Sequence, residues 1–311
     1  MPNGERYWRI RMRAGHDYSQ RAWCRGEVGV WYGAWSADDF RQALHEPDPA
    51  AYLSSLPAQR ALGWDVSAGF FRTVKRFADI APNDWVVCYF DGAIHLGRLT
   101  EPLCSDPDHP LNLPDRQVFK YRRLRHDSIK SFRLRHLPDP FRIVPQAGRG
   151  NVHEFNTTYN LVRILAESEN EEDVARRIGA MPLREWLDVL GPEGWESLAL
   201  GYLILEDGFV PTGLTIGGTL AVFDIVGRSR TDNAHIIAQC KKAPHAVPVG
   251  DDVRAAFRDY GDGARGYFFA YGGCVDAPQG LRVLTRDDMV GWLQKTERGQ
   301  WYMRMFLGRE E

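Results

Sequence analysis

AVFDIVG, residues 221–227, and IIAQCKK, residues 236–242, decide how this chain is read. Both are apolar and rich in β-branched residues, and both have strand length rather than helix length. Each carries polar groups inside that run. Asp224 sits in the first, and Gln239 and Lys241 sit in the second. Side chains alternate along a strand, so Gln239 and Lys241 share one face and Cys240 points to the opposite, buried face. A carboxylate and an ammonium within apolar strands cost free energy unless they are paired, hydrated or bound to a metal. A functional site is therefore expected where the two strands meet. The alternative is a buried Asp224–Lys241 ion pair, which stabilises a fold weakly.

The elements around these strands follow in a regular order. GWESLALGYLIL (194–205) reads as a helix, with Glu196 near its start. Residues 209–215 and 219–227 read as strands joined at Gly217-Gly218. Residues 235–241 form a third strand, 251–260 a helix, 266–271 a buried strand, 281–284 a short strand, and 286–294 a final helix. This order predicts an α/β core with a mixed central sheet. The polar set suits phosphodiester hydrolysis. A hard cation such as Mg²⁺ takes oxygen ligands, from Asp224 and from the Gln239 amide oxygen, with Glu196 as a further carboxylate. Lys241 can offset developing negative charge.

GWESLALGYLILEDGF, FDIVG and IIAQCKK, in that order, resemble the Mrr-like branch of the PD-(D/E)XK nucleases. GYFFAYG (266–272) and RVLTRDDMVGWLQ (282–294) extend the likeness, which covers roughly residues 191–295. The resemblance implies that Asp224 binds metal, Gln239 fills the second acidic position, Lys241 is the catalytic lysine and Glu196 is the helix acid. It implies Mg²⁺ or Mn²⁺ as cofactor. A neutral amide is a poorer cation ligand than a carboxylate, which makes Glu196 more necessary.

The first half is different in texture. Residues 7–13 alternate, with Trp8, Ile10 and Met12 on one face and Arg9, Arg11 and Arg13 on the other, and read as a half-buried strand. Residues 28–35 are a second strand, and 70–77 a short helix. DWVVCYF (84–90), the turn Asp91-Gly92 and AIHLGRLT (93–100) read as a hairpin. Further short strands are expected at 117–124 and 131–137. The YWRIRMR strand, the hairpin and the supply of tryptophans resemble PUA-like domains, particularly the EVE and YTH group, over roughly 1–155. That resemblance implies an aromatic pocket for a modified base, because flipped bases are held by stacking and by hydrogen bonds to their edges. Trp23, Trp31, Tyr32, Trp35 and Trp64 are the pocket candidates; core packing is the alternative for each tryptophan. Trp8 and Trp85 are assigned to the core.

KYRRLRHDSIKSFRLR (120–135) has seven Lys/Arg against one Asp. Lys120, Arg122, Arg123, Arg125, Lys130, Arg133 and Arg135 are therefore candidate phosphate contacts, with a solvated strand face as the alternative. QAGRGN (146–151) is a Gly-rich loop without a strand-to-helix context, and no Walker motif occurs, so nucleotide triphosphate binding is not expected.

The expected organisation is a PUA-like β-rich domain at 1–155, a helical linker at 156–190 and a restriction-endonuclease-like α/β domain at 191–311. The linker helices could also belong to the second core. With 311 residues, 44% hydrophobic, the chain can bury a core without metals or disulfides. No apolar run approaches the roughly 20 residues of a membrane span. The start has no apolar h-region, and the five scattered cysteines form no CxxC pair, which points to a reduced, cytoplasmic protein. Net charge is −2, but residues 1–155 carry 22 basic against 18 acidic residues, and the remainder 17 against 23. Local clusters therefore matter more than overall charge.

These readings converge on a modification-dependent, type IV-like DNA endonuclease of the restriction or phage-defence class. Its partner is double-stranded DNA, modified, met by a homodimer at least on the substrate, since each catalytic domain cuts one strand. Two alternatives stand: an Mrr-like nuclease activated by another ligand or partner, and a catalytically inactive nucleic-acid-binding module.

Overall fold

The hairpin expected over 84–100 forms, with strands Trp85–Phe90 and Ala93–Arg98 paired antiparallel. Its turn residues Asp91 and Gly92 have φ of 49° and 66°. Two consecutive positive φ values match the right-handed twist of the flanking strands, and glycine supplies the second without strain. The structure is a computed structural model that describes residues 5–12, 16–145, 150–156, 159–212, 222–261 and 263–307. The chain divides into two units, residues 1–137 with 141–174, and residues 138–140 with 175–311. The described residues form twelve α-helices and three sheets, a mixed α+β architecture. Among them, no helix is long and apolar enough to cross a membrane.

In the first unit, strand Tyr7–Ile10 runs parallel to Trp85–Phe90 and antiparallel to Val152–Glu154. With Ala93–Arg98 and Lys130–Arg133 this makes a five-stranded sheet. A second sheet joins Glu27–Trp31, Phe119–Arg123 and Cys104–Ser105, all antiparallel. One apolar core gathers Trp8, Ile10, Val28 and Val30 from both sheets, Val74 and Phe77 from helix Ala68–Ala78, and Trp35 from the connection after Glu27–Trp31.

Tyr7–Ile10 departs from its expected half-burial: all four residues are buried, Arg9 at 3% exposure included. The strand lies between two neighbours with both faces covered, so alternation of charge does not mark a wet face. The Arg9 guanidinium instead donates to the Gly150 carbonyl at 2.9 Å. Burial, aided by Arg11, pulls its pKa down to about 10. Arg13 lies outside the described residues.

Residues 156–190 hold helices Tyr159–Glu167, Glu171–Ala180 and Leu183–Val189. The boundary between the units falls inside the middle helix.

The second unit is built on a mixed five-stranded sheet. Phe209–Pro211, Ile225–Ser229 and His235–Lys241 pair antiparallel, and His235–Lys241, Arg265–Ala270 and Leu281–Leu284 pair parallel. His235–Lys241 is the middle strand, which is why five of its seven residues are buried. The part of the expected 219–227 strand before residue 222, and the Gly217-Gly218 turn, lie outside the described residues. One element was not expected: helix Glu297–Leu307 follows Arg286–Lys295. Tyr302 from it lies so close to helix Pro192–Asp207 that a Cβ on Gly201 would sit 2.2 Å from its ring. Only glycine at 201 permits that approach.

Candidate functional site

Asp224 stands immediately before strand Ile225–Ser229, and its N–H donates to the Ala238 carbonyl at 3.0 Å. This register places its carboxylate beside the end of His235–Lys241. Gln239 Nε2 donates to Asp224 Oδ2 at 2.5 Å, and the Cys240 backbone N–H donates to the same oxygen at 2.7 Å. Both hydrogen bonds that Asp224 accepts from described residues fall on Oδ2, leaving Oδ1 facing none of their donors.

Gln239 is 5% exposed and Cys240 7%, whereas Lys241 is exposed. Asp224 and Lys241 therefore form no buried ion pair. Lys241 still acts electrostatically on the group: it pulls down the carboxyl of Glu196 and the thiol of Cys240. Glu196 is half-buried. Burial raises its carboxyl pKa above the ordinary value, and the charges of Asp224 and Glu193 add to the rise. The thiol of Cys240 is pushed well up by burial, then by Asp224 and Glu196, and is inert as a nucleophile. The four residues expected from sequence, Glu196, Asp224, Gln239 and Lys241, thus share one neighbourhood.

Local sequence explains why Glu196 arrives there. Pro192 opens helix Pro192–Asp207 at its first turn, and Gly208, with φ of 62°, closes it. Trp195, next to Glu196, donates its indole N–H to the Phe269 carbonyl at 2.9 Å and pins the helix to strand Arg265–Ala270.

Lys242 was missed. Its ammonium donates to the carbonyls of Leu187 at 3.1 Å and Asp188 at 2.9 Å, and also to that of Leu190. These are acceptors at the end of helix Leu183–Val189, just before the helix that carries Glu196. The ammonium also lies 4.9 Å from the centre of the Tyr271 ring. Burial lowers its pKa to about 8, against the pull of Asp188. The Lys-Lys doublet was its only signal in the sequence.

Among the described residues, no group of three His, Cys, Asp or Glu side chains could hold a metal. The donor set here is two carboxylates and one amide. A half-buried Glu196 carboxyl raised in part by the Asp224 charge, with Asp224 Oδ1 facing no donor among the described residues, fits a hard divalent cation that keeps several waters. Gln239 is the weakest member, because its N–H is committed to Asp224 and only its carbonyl oxygen is left for a cation.

In the first unit, a cavity of about 280 Å³ is lined by Arg11, Trp31, Tyr32, Phe70, Gln117 and Asn151, among others. Tyr32 stacks on Phe70 with ring centres 4.9 Å apart, and Trp64 meets Phe70 edge-on at 6.0 Å. The Trp31 indole donates to the Leu111 carbonyl at 2.7 Å and its ring stacks on Phe119 at 4.5 Å. Asn151 donates its amide N–H to the Tyr32 hydroxyl. Its carbonyl Oδ1 is buried and accepts nothing from the described residues. Trp31 and Tyr32 thus reach a cavity, and Trp64 supports its wall. Trp23 and Trp35 do not line that cavity: Trp23 packs against Phe90 and His95, and Trp35 is fully buried against Phe40. Phe70 and Asn151 were missed because they come from separate segments. A second cavity, about 310 Å³, has Arg9, Arg11, Val87, Cys88, Tyr89 and Ile94 in its walls.

The basic run splits. Lys120 is fully buried, donating at 3.0 Å to the carbonyls of Gly33 and Val118 and lying 3.9 Å from the Trp35 ring centre. Arg122 is 1% exposed and ties together the carbonyls of Phe77, Ile80 and Glu101. Lys130 donates to the Ala166 and Ser168 carbonyls at the end of helix Tyr159–Glu167. Lys120 and Arg122 are sealed in the fold, which corrects their expected phosphate role, whereas Lys130 is half-buried. Arg123, Arg125, Arg133 and Arg135 are exposed. The Gly-rich loop lies mostly outside the described residues.

Compared with family models, curated proteins and solved structures, the chain matches none.

Proposed function

We propose that this chain is a metal-dependent DNA endonuclease of the modification-dependent, type IV-like kind, with a PUA-like reader in its first part and an Mrr-like PD-(D/E)XK catalytic domain at 191–311. The observation that carries the reading is the convergence of Glu196, Asp224, Gln239 and Lys241 at one end of the second sheet. Asp224 and Glu196 would hold Mg²⁺ or Mn²⁺, with the Gln239 carbonyl as a neutral partner. Such an ion, when bound, supplies Lewis-acid polarisation of the phosphate and a water of lowered pKa. Lys241, exposed and next to the carboxylates, is placed to donate to a phosphate oxygen and to offset charge on the pentacovalent phosphorus. Glu196, half-buried and within the field of Asp224 and Lys241, would hold the ion directly or orient its water.

The 280 Å³ cavity supports the reader half: aromatic faces for stacking, and the amides of Asn151 and Gln117 with the Arg11 cation for a base edge. Duplex DNA is the proposed partner, and cleavage of both strands calls for two catalytic domains, hence a homodimer on the substrate. A second reading, an inactive nucleic-acid-binding module, is favoured by one observation: position 239 is an amide already bonded to Asp224.

The test is cleavage of matched duplexes with Mg²⁺ or Mn²⁺, comparing wild type with Lys241→Ala. The duplexes carry no modification, 5-methylcytosine, 5-hydroxymethylcytosine, glucosylated cytosine or N6-methyladenine. Cutting of one modified substrate alone, lost in Lys241→Ala, is the expected result. Equal cutting of all duplexes removes the reader and leaves a nuclease activated otherwise. Binding without cutting under every condition overturns the enzyme reading.

A further inference from the structure

The hairpin turn of the first unit forms one wall of an open cleft of about 530 Å³, with Tyr89, Asp91, Gly92, Arg133, Arg135 and Arg142 around it. Three guanidiniums line it, and its one lining carboxylate, Asp91, is bonded to Arg133. All three arginines are exposed. Arg133 is held at the turn by the Asp91 carbonyl at 2.7 Å and its carboxylate at 3.2 Å. Arg135 donates to His136 Nε2 at 3.0 Å, and among the described residues it pairs with no carboxylate. Tyr89 is the odd residue of its strand: the other five are buried and it is 47% exposed. An aromatic ring left in water beside arginines is a surface built for contact.

We infer that this cleft binds the phosphodiester backbone of duplex DNA, the inference resting on the reading that the chain acts on DNA. Guanidiniums bind phosphate oxygens in a two-pronged geometry that lysine cannot reproduce, and the cleft uses arginine throughout. The Tyr89 ring packs against a deoxyribose between neighbouring phosphates. Gly92 adds no side chain, and a Cβ there would meet nothing within 4 Å, so a backbone strand can approach the turn closely. Tyr89 also lines the 310 Å³ cavity. Contacts of this kind fix where the duplex lies without reading its sequence. The cleft differs from the basic run read in the sequence: of its seven cations only Arg133 and Arg135 line the cleft, and Arg142 and Tyr89 join them.

The experiment is fluorescence anisotropy of a labelled duplex with the full chain in EDTA, across a salt series. Arg135→Ala with Arg142→Ala should weaken binding about tenfold and lower the magnitude of the log K against log salt slope by about 2. The loss should be equal for modified and unmodified duplexes. Tyr89→Ala should weaken binding severalfold and leave the slope unchanged. Lys75→Ala, an exposed cation elsewhere in the unit, controls for lost charge alone. Matching thermal melts verify that the variants fold. Unchanged affinity and slope in the arginine double variant overturns the inference. So does a wild type that binds no duplex, or one in which the variants affect only single-stranded RNA. Cleavage scored separately against Lys241→Ala keeps the two ideas apart. A protein that cuts but ignores the arginine changes sinks the cleft alone, and one that loses duplex affinity without ever cutting sinks the nuclease alone.

Discussion

Gln239 donates its side-chain amide to Asp224 across 2.5 Å, from strand His235–Lys241 to the residue just before its antiparallel neighbour Ile225–Ser229. The amide neutralises nothing; it only orients the carboxylate. A glutamate at 239 would face Asp224 as a second negative charge at hydrogen-bond distance, and one of the two would hold its proton. A divalent cation would relieve that repulsion. Gln239→Glu is therefore expected to melt lower than wild type in EDTA, by roughly 2–6 °C, and to gain more than wild type from added Mn²⁺. Differential scanning fluorimetry with and without the ion reads both terms. Equal response to Mn²⁺ in the two proteins would remove the cation from this site.

Arg122 and Lys120 are cations without carboxylate partners in their hydrogen-bond sets, surrounded by backbone carbonyls. Replacing Arg122 by Met leaves the carbonyls of Ile80 and Glu101 without this donor. It should cost about 2–4 kcal/mol in urea-induced unfolding of the first unit. Duplex affinity and its salt slope should stay at the wild-type value at temperatures where the variant is folded. A reduced slope in Arg122→Met would return this residue to the phosphate surface.

Those two residues mark where sequence reading stops. Alternation in YWRIRMR and the charge run at 120–135 carry the period of strands, and the strands are there. Which face is wet depends on what a distant segment lays over it, and period alone carries no such information. The same holds for tryptophan: Trp31 and Trp35 have similar local settings, yet one reaches a cavity and the other is sealed under Phe40 and Lys120. Asp224, Gln239 and Lys241 were legible for the opposite reason. Gln239, buried in a strand as apolar as His235–Lys241, takes the nearby Asp224 as its partner, and Lys241 stands exposed at that strand's end. Helix Glu297–Leu307 was not, because Trp301 and Met305 on it are exposed and blur its apolar stripe.

His95 is buried against Phe90, ring centres 3.8 Å apart, with Nδ1 2.8 Å from the Ser131 hydroxyl. Burial, with a smaller push from Arg133, lowers its pKa to about 4 although Asp91 and the Phe90 carbonyl oppose the shift. The unfolded chain takes up this proton near pH 6.5, and the folded chain refuses it until near pH 4. Its contribution to stability is thus complete above pH 6.5 and is lost as pH falls toward 4. His95→Gln should flatten that part of the stability profile. The wild type should lose up to about 3 kcal/mol more than the variant between pH 7 and pH 4. Parallel profiles in urea titrations would show that His95 titrates normally.

Lys242 joins the strand bearing Gln239 and Lys241 to the chain just before the helix bearing Glu196. Its three acceptors lie within residues 187–190, at the end of a short helix whose last carbonyls have no intrahelical donors. Methionine at 242 would keep most of the packing on Tyr271 and remove every N–H. Lys242→Met should then cost about 1–3 kcal/mol. Its sharper signature is local: amides of residues 187–196 should exchange with deuterium about tenfold faster than in wild type, while those of Arg265–Ala270 keep their protection. Lys241→Ala, one residue away and exposed, should leave both segments unchanged. A uniform rise in exchange across the second unit would mean that Lys242 supports the fold in general and not the placement of Glu196.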